Sequence, residues 1–215
     1  QGLLHCEPGF AQLHSTGIET GERARATAWQ QPQHSYNQYW RQLNQLPLPS
    51  KQKWARHHSD IAFAQLKQLV EHAGSPERLI LAVPGSCSDE QLSLLLGLVS
   101  AVPVQVAAVI DSALATCATE TQSTVLVELQ LHQTVVSVID CRAGTLSLSQ
   151  QETIPDLGIM QLHNAAARHI SDRLVQDYRY DPMHNSEGEQ AIYNQLPQWL
   201  MQLGWEDKLN ISLPS

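Results

Sequence analysis

With 215 residues and 42% hydrophobic side chains, the chain has length and apolar content for one large or two small domains with real cores, which excludes a disordered segment. The net charge is -8 and no run of basic residues exceeds two, which excludes a nucleic-acid surface. No apolar run approaches the roughly 18 residues that a membrane-spanning helix needs.

Residues 1–30 read as short strands and turns followed by a small helix. Glu7-Pro8-Gly9 and Thr16-Gly17 carry turn chemistry, and 21–29 is rich in Ala and Arg. The chain opens at Gln1 without a methionine, in what reads as the middle of a strand, so it reads as a piece of a longer polypeptide. Residues 31–58 are polar, with Pro32, Pro47 and Pro49 around Tyr36, Tyr39 and Trp40. They read as a long, partly irregular connection whose aromatics pack against the rest of the body. Residues 60–73 place Ile61, Phe63, Leu66, Leu69 and Val70 at helical spacing, with Ser59 as the expected cap and Gly74 as the stop.

Residues 78–83 (RLILAV) form a short apolar run ended by Pro84-Gly85, which predicts a strand. Ser88 and Gln91 have capping-box spacing and open a helix over 88–100. A second strand is predicted over 104–110 and a short helix over 111–119, with Asp111 at its start. Residues 125–140 read as two strands around a polar turn, and Gly144 supplies the turn into a third strand at 145–152. A helix is predicted over 160–178, with Leu162, Ala165, Ala166, His169, Ile170, Leu174 and Val175 facing inward. A capping-box pattern from Ser186 to Glu189 opens a last helix, reaching Leu203 with a kink at Pro197. Residues 208–213 (KLNISL) read as a closing strand. Trp199 is expected in the core.

The four cysteines include no C-x-x-C pair, so neither zinc nor redox chemistry is indicated. Three of them read as buried thiols, and the usage fits a reducing cytoplasm. Ten histidines contain no H-x-x-x-H pair, and no metal site is predicted. Ser86 and Cys87 follow a strand in a Pro-Gly turn, but the nucleophile pattern G-x-S-x-G is absent.

The order of strand, capped helix, strand, Ala-rich helix and hairpin across residues 77–140 resembles the actin, sugar kinase and heat-shock chaperone ATPase superfamily. Within it the chain resembles the nucleotide-binding domain of the seventy-kilodalton heat-shock chaperones. There a strand ends in Val-Pro and a later helix begins Asn-Glu-Pro-Thr-Ala-Ala; here Val83-Pro84 and Asp111-Ser112-Ala113 stand in those places. PGFAQLHSTGIETGERARATAWQQP resembles the family's N-terminal strand pair. Residues 151–203 follow its later strand and helices. The resemblance implies an α/β, actin-like (ribonuclease H-like) ATPase-domain fold, present in part. It divides the chain into a first lobe at 1–119 and the start of a second at 120–215. The family's first phosphate loop would precede Gln1, and its adenosine-contacting Gly-Gly segment would follow Ser215.

The superfamily's second phosphate loop (DLGGGT, or DSGDGVT in actins) aligns with the seven residues from Glu128 to Thr134. The resemblance implies ATP and magnesium as cofactors, contacted by Glu128, Gln130, His132 and Thr134, with Asp111 orienting a catalytic water. Gln130 and His132, however, replace both family glycines, and their side chains fill the volume that a phosphate takes. Backbone amides need glycine's freedom to converge on an anion. Asp111 equally suits an N-cap, and 128–134 equally suits an ordinary hairpin turn.

Two functions follow. One is a chaperone-like protein with weak or lost nucleotide hydrolysis. The other is a non-catalytic scaffold or protein-binding module on the same fold. The expected partners are another protein, the remainder of the parent polypeptide, or a second copy in a homodimer paired at the sheet edge near Gln1. Nucleic acid and membrane are not expected.

Overall fold

The structure is a computed structural model that describes residues 5–49, 53–206, 208–211 and 213. Strands β1 (Ala11–His14) and β2 (Gly17–Thr20) form a tight hairpin, and β3 (Ser35–Tyr36) pairs on the other side of β1. Gly21, at φ 78°, takes the left-handed backbone that leads out of β2 into the short α1 (Glu22–Arg25).

Helix α2 (His58–His72) starts two residues before the predicted boundary. Its start is organised by Asp60 and not by Ser59. The Asp60 carboxylate accepts from the Arg56 and His57 amides at 2.7 and 3.0 Å, while Ser59 is buried inside the first turn. The end follows expectation. Gly74 lies at φ 78°, its amide donates to Glu71, and the Ser75 amide donates to Val70, which is a Schellman closure.

Strand β4 (Arg78–Val83), helix α3 (Asp89–Ser100) and strand β5 (Gln105–Asp111) make a parallel βαβ unit. Ser88 and Gln91 exchange the two hydrogen bonds of the capping box, at 3.0 and 3.2 Å. Leu66 and Val70 of α2 and Val99 of α3 form one apolar cluster over Leu79, Leu81 and Val106. Asp111 then caps α4 (Ser112–Thr116), accepting from the Ala113 and Leu114 amides at 2.8 and 3.3 Å.

Strands β6 (Thr124–Leu129), β7 (Gln133–Arg142) and β8 (Thr145–Pro155) form an antiparallel meander. Ala143 and Gly144 both have positive φ at the β7–β8 turn, the backbone that matches strand twist. Ile139 on the inner face packs with Ala113 and Cys117 of the α4 segment.

The C-terminal part is helical: α5 (Ile159–Tyr178), a 3₁₀ turn at Pro182–His184, and α6 (Ser186–Leu203). Met160, Ala167, Ile192, Leu196 and Trp199 from these helices share a core with Phe10, Ala24 and Ala28. Trp29 stacks on Tyr193 with ring centroids 3.9 Å apart, and the Trp29 amide donates to the Gln190 side chain at 2.9 Å. Side chains from 10–28 and from 160–199 therefore close one apolar cluster between them. Tyr39 is fully buried beside β1 and α2, and Trp40 packs against the same cluster, so the aromatic run does dock on the body.

Several expectations need correction. The buried face of α5 is Met160, Ala167 and Ser171, whereas Leu162, Ala165, His169 and Val175 are exposed. Ala166 and Ile170 of the predicted face do pack against the helical core, and Leu174 is half-buried. The cap of α6 is Asn185, which accepts from Gly188 at 2.7 Å, and Ser186 is already helical. As expected, the helix reaches Leu203 with Pro197 inside it. Among residues 208–211 and 213 no strand forms; Leu209, Ile211 and Leu213 instead lie against the core of the helical part. Of the cysteines, only Cys117 is buried; Cys6 is exposed, Cys87 and Cys141 are half-buried, and all four are free. The sheet edge near Gln1 lies outside the described residues.

The architecture is mixed α/β, with small sheets of three, two and three strands among the described residues. No helix of the described residues is long and apolar enough to cross a membrane.

Candidate functional site

The β6–β7 turn is where the resemblance puts phosphate. The Gln130 amide donates to the Gln133 carbonyl at 2.9 Å and closes the turn. The first amides of α5 then dock on it: Ile159 donates to the Gln130 carbonyl and Met160 to the Leu131 carbonyl, each at 2.9 Å. A helix N-terminus offers unpaired N–H groups and a partial positive charge, and here the carbonyls of the turn take both. The same position would otherwise suit an anion.

Gly158 makes this docking possible. A Cβ at that position would lie 2.6 Å from the Gln133 nitrogen and 2.7 Å from the Gln130 oxygen, well inside contact distance. Its backbone is extended, so the requirement is for space and not for unusual φ.

The side chains of the turn are spent on protein as well. His132 is 7% exposed, and its Nε2 donates to the Asn37 carbonyl at 2.9 Å. Burial holds this imidazole below the ordinary histidine pKa, against the Asn37 hydrogen bond, which pulls the other way; the nearby Arg41 charge lowers it further. The Thr134 hydroxyl donates to the Leu157 carbonyl at 2.6 Å. Gln130 accepts from Gln133, which also reaches Ser86 in the loop after β4, both at 2.9 Å.

A cavity of about 540 Å³ lies between this turn, β4, α3 and the segment around Trp40. Leu43, Leu66, Leu81, Val83, Leu95 and Leu131 give it apolar walls, and Gln130, His132 and Gln133 stand at its polar side. Among the described residues Arg41 is its one charged lining residue, and no carboxylate lines it. Magnesium is held by hard oxygen ligands, usually a carboxylate with phosphate and water. Cys87 also lines the cavity, but burial raises its thiol pKa, which opposes a thiolate nucleophile.

The five residues singled out from the sequence thus separate into groups. Gln130 and His132 border the cavity. Thr134 sits beneath the start of α5. Asp111 caps α4, and its neighbour Ser112 donates to Glu128 at 3.0 Å, which brings Asp111 and Glu128 to one end of β5 and β6. The second Glu128 carboxylate oxygen is shielded and has no hydrogen-bond partner among the described residues. Neither carboxylate lines the cavity.

Sequence reasoning missed the role of Gly158 as the contact point of turn and helix. It also missed Asn37 as the partner of His132, 95 residues away in sequence. No local signal links those two. A separate set, His5, Glu7 and His72, brings three potential ligand atoms together. Comparison with known proteins adds no relative: no protein-family model matches the chain, and no curated protein matches it at a significant level.

Proposed function

We propose that the chain is an actin-like domain that binds protein and does not hydrolyse nucleotide. The order of hairpin, parallel βαβ unit, meander and helix pair supports the likeness to the heat-shock chaperone domain, with lobes dividing at 119 and 120. Four free thiols fit a reducing cytoplasm.

The observation that carries the protein-binding reading is the outer face of the meander. Val125, Val127 and Leu129 alternate along β6 and are 60%, 61% and 44% exposed. Val138 and Val136 pair opposite the first two, and Ile154 of β8 adds a further exposed apolar side chain. A contiguous apolar sheet face of this kind is characteristic of an interaction surface. Among the described residues β6 pairs only with β7, so its outer backbone edge is open as well.

The partner that best fits an open edge beside an apolar face is a second copy of the chain, paired edge to edge. The net charge of -8 opposes this only weakly at physiological salt. Light scattering over a concentration series is expected to show mass rising toward that of a dimer at high micromolar protein. Val127→Lys is expected to abolish the rise while leaving the fold intact. A strict monomer throughout, or association unchanged in Val127→Lys, would overturn self-association through this face.

A further inference from the structure

We propose that His5, Glu7 and His72 form a binding site for one divalent transition-metal ion, with zinc the best fit. The inference stands independently of the nucleotide and dimer readings. His5 Nε2 lies 2.8 Å from Glu7 Oε1 and 3.1 Å from His72 Nδ1, and His72 Nδ1 lies 3.3 Å from Glu7 Oε1. Three lone-pair-bearing atoms therefore converge on one point. A tetrahedral ion with bonds of about 2.0–2.1 Å separates its ligand atoms by roughly 3.3 Å, close to this triangle. Two imidazole nitrogens and one carboxylate oxygen are a ligand set that zinc accepts, with a fourth position left for water or another ligand.

The carboxylate is built in. The Glu7 side chain is 8% exposed and lies against Gly21, where any Cβ would collide with it. Gln68 Nε2 donates to both Glu7 oxygens, at 2.9 and 3.1 Å, and the Thr20 hydroxyl donates to Gln68 Oε1 at 2.7 Å. Such outer hydrogen bonds fix a ligating carboxylate. Gln68 and His72 are one turn apart on α2, so a single helix face supplies a ligand and the support of another. A cavity of about 450 Å³, lined by Glu7, Glu19, Glu22, Gln68 and His72 together with Arg23, gives an ion access, and its three carboxylates outnumber the one guanidinium. The bound ion would tie residues 5–7 to the end of α2.

The test is a cobalt titration of the chelator-stripped 215-residue chain, followed by displacement with zinc. One equivalent of Co²⁺ is expected to give visible d–d bands of four-coordinate strength that zinc removes. His5→Ala and His72→Ala, both at exposed positions, are expected to weaken binding at least tenfold without changing the far-ultraviolet circular dichroism. Gln68→Ala, which removes the support of Glu7 and the acceptor of the Thr20 hydroxyl but no ligand atom, is expected to weaken it about tenfold. His14→Ala, which removes a histidine paired with Glu19 alone, is expected to leave it unchanged. Absence of a saturable one-to-one site, or wild-type affinity retained in His5→Ala and His72→Ala, would overturn the proposal and leave a hydrogen-bonded cluster only.

Discussion

Gln65→Leu is expected to destabilise the protein by about 2–5 kcal/mol in urea unfolding. Gln65 is 1% exposed and sits at the centre of a buried polar network. Its Oε1 accepts from the Tyr39 hydroxyl and from Trp40 Nε1, both at 2.7 Å, and its Nε2 donates to the Pro8 carbonyl at 2.9 Å. Leucine removes all three bonds while keeping most of the volume. Each buried group left without a partner costs about 1–3 kcal/mol. Tyr39 keeps the Phe10 carbonyl at 3.2 Å, which limits its share of the loss. Tyr39→Phe, which removes a single hydroxyl, is therefore expected to cost less than Gln65→Leu. A cost below about 1 kcal/mol for Gln65→Leu would mean that the network does not hold residues 36–43 to the body.

Gly158→Ala is expected to cost about 1–3 kcal/mol, the range of overpacking in a closed contact. The added methyl meets backbone on three sides, from Gln130, His132 and Gln133, and backbone cannot rotate away as a side chain can. Either α5 withdraws from the turn or the turn opens. Both routes break the hydrogen bonds from Ile159 and Met160. Gly97→Ala provides the contrast. Gly97 lies within α3 and a Cβ there meets nothing within 4 Å, so alanine is expected to stabilise by about 0.5–1 kcal/mol through helix propensity. Equal effects at the two glycines, read from urea midpoints, would contradict the tight docking of turn and helix.

The elements whose signals are local were legible in the sequence. The Ser88–Gln91 capping box, the Gly74 stop, the Asp111 cap and the alternation along β6 each depend on residues within one or two turns of each other. At the start of α2 two local signals competed: Ser59 looked like a cap, but Asp60 reaches back to two amides and α2 starts two residues earlier. The other misread positions depend on distant partners. The α5 stripe was read from side-chain hydrophobicity, yet Ala167 shares a core with Ile192 and Leu196, and Ser171 is buried with its hydroxyl donating to Asp181 at 2.7 Å. KLNISL has strand composition, but Leu209, Ile211 and Leu213 pack against the helical core, and residues 208–211 and 213 have no ladder partner among the described residues.

At the candidate site, the side chains of Gln130 and His132, where the resemblance would place glycine, were visible from sequence alone. What those side chains do instead was not. His132 finds a carbonyl in the irregular 31–58 segment, and the turn's own carbonyls receive α5. Neither contact has a spacing rule that a single sequence carries. The cluster of His5, Glu7 and His72 was hidden for the same reason, since its two parts are 65 residues apart and meet only because α2 returns to the N-terminal strands.

As proposed, the β6–β7 turn, whose Gln130 and Leu131 carbonyls receive the first amides of α5, is closed to phosphate. Its most direct test is isothermal titration of the chain with ATP and magnesium. The expected result is no saturable binding tighter than about 10 μM, a limit equivalent to roughly 7 kcal/mol. Binding tighter than that, lost when Gln130 and His132 are both replaced, would contradict the claim and restore a nucleotide site at the turn.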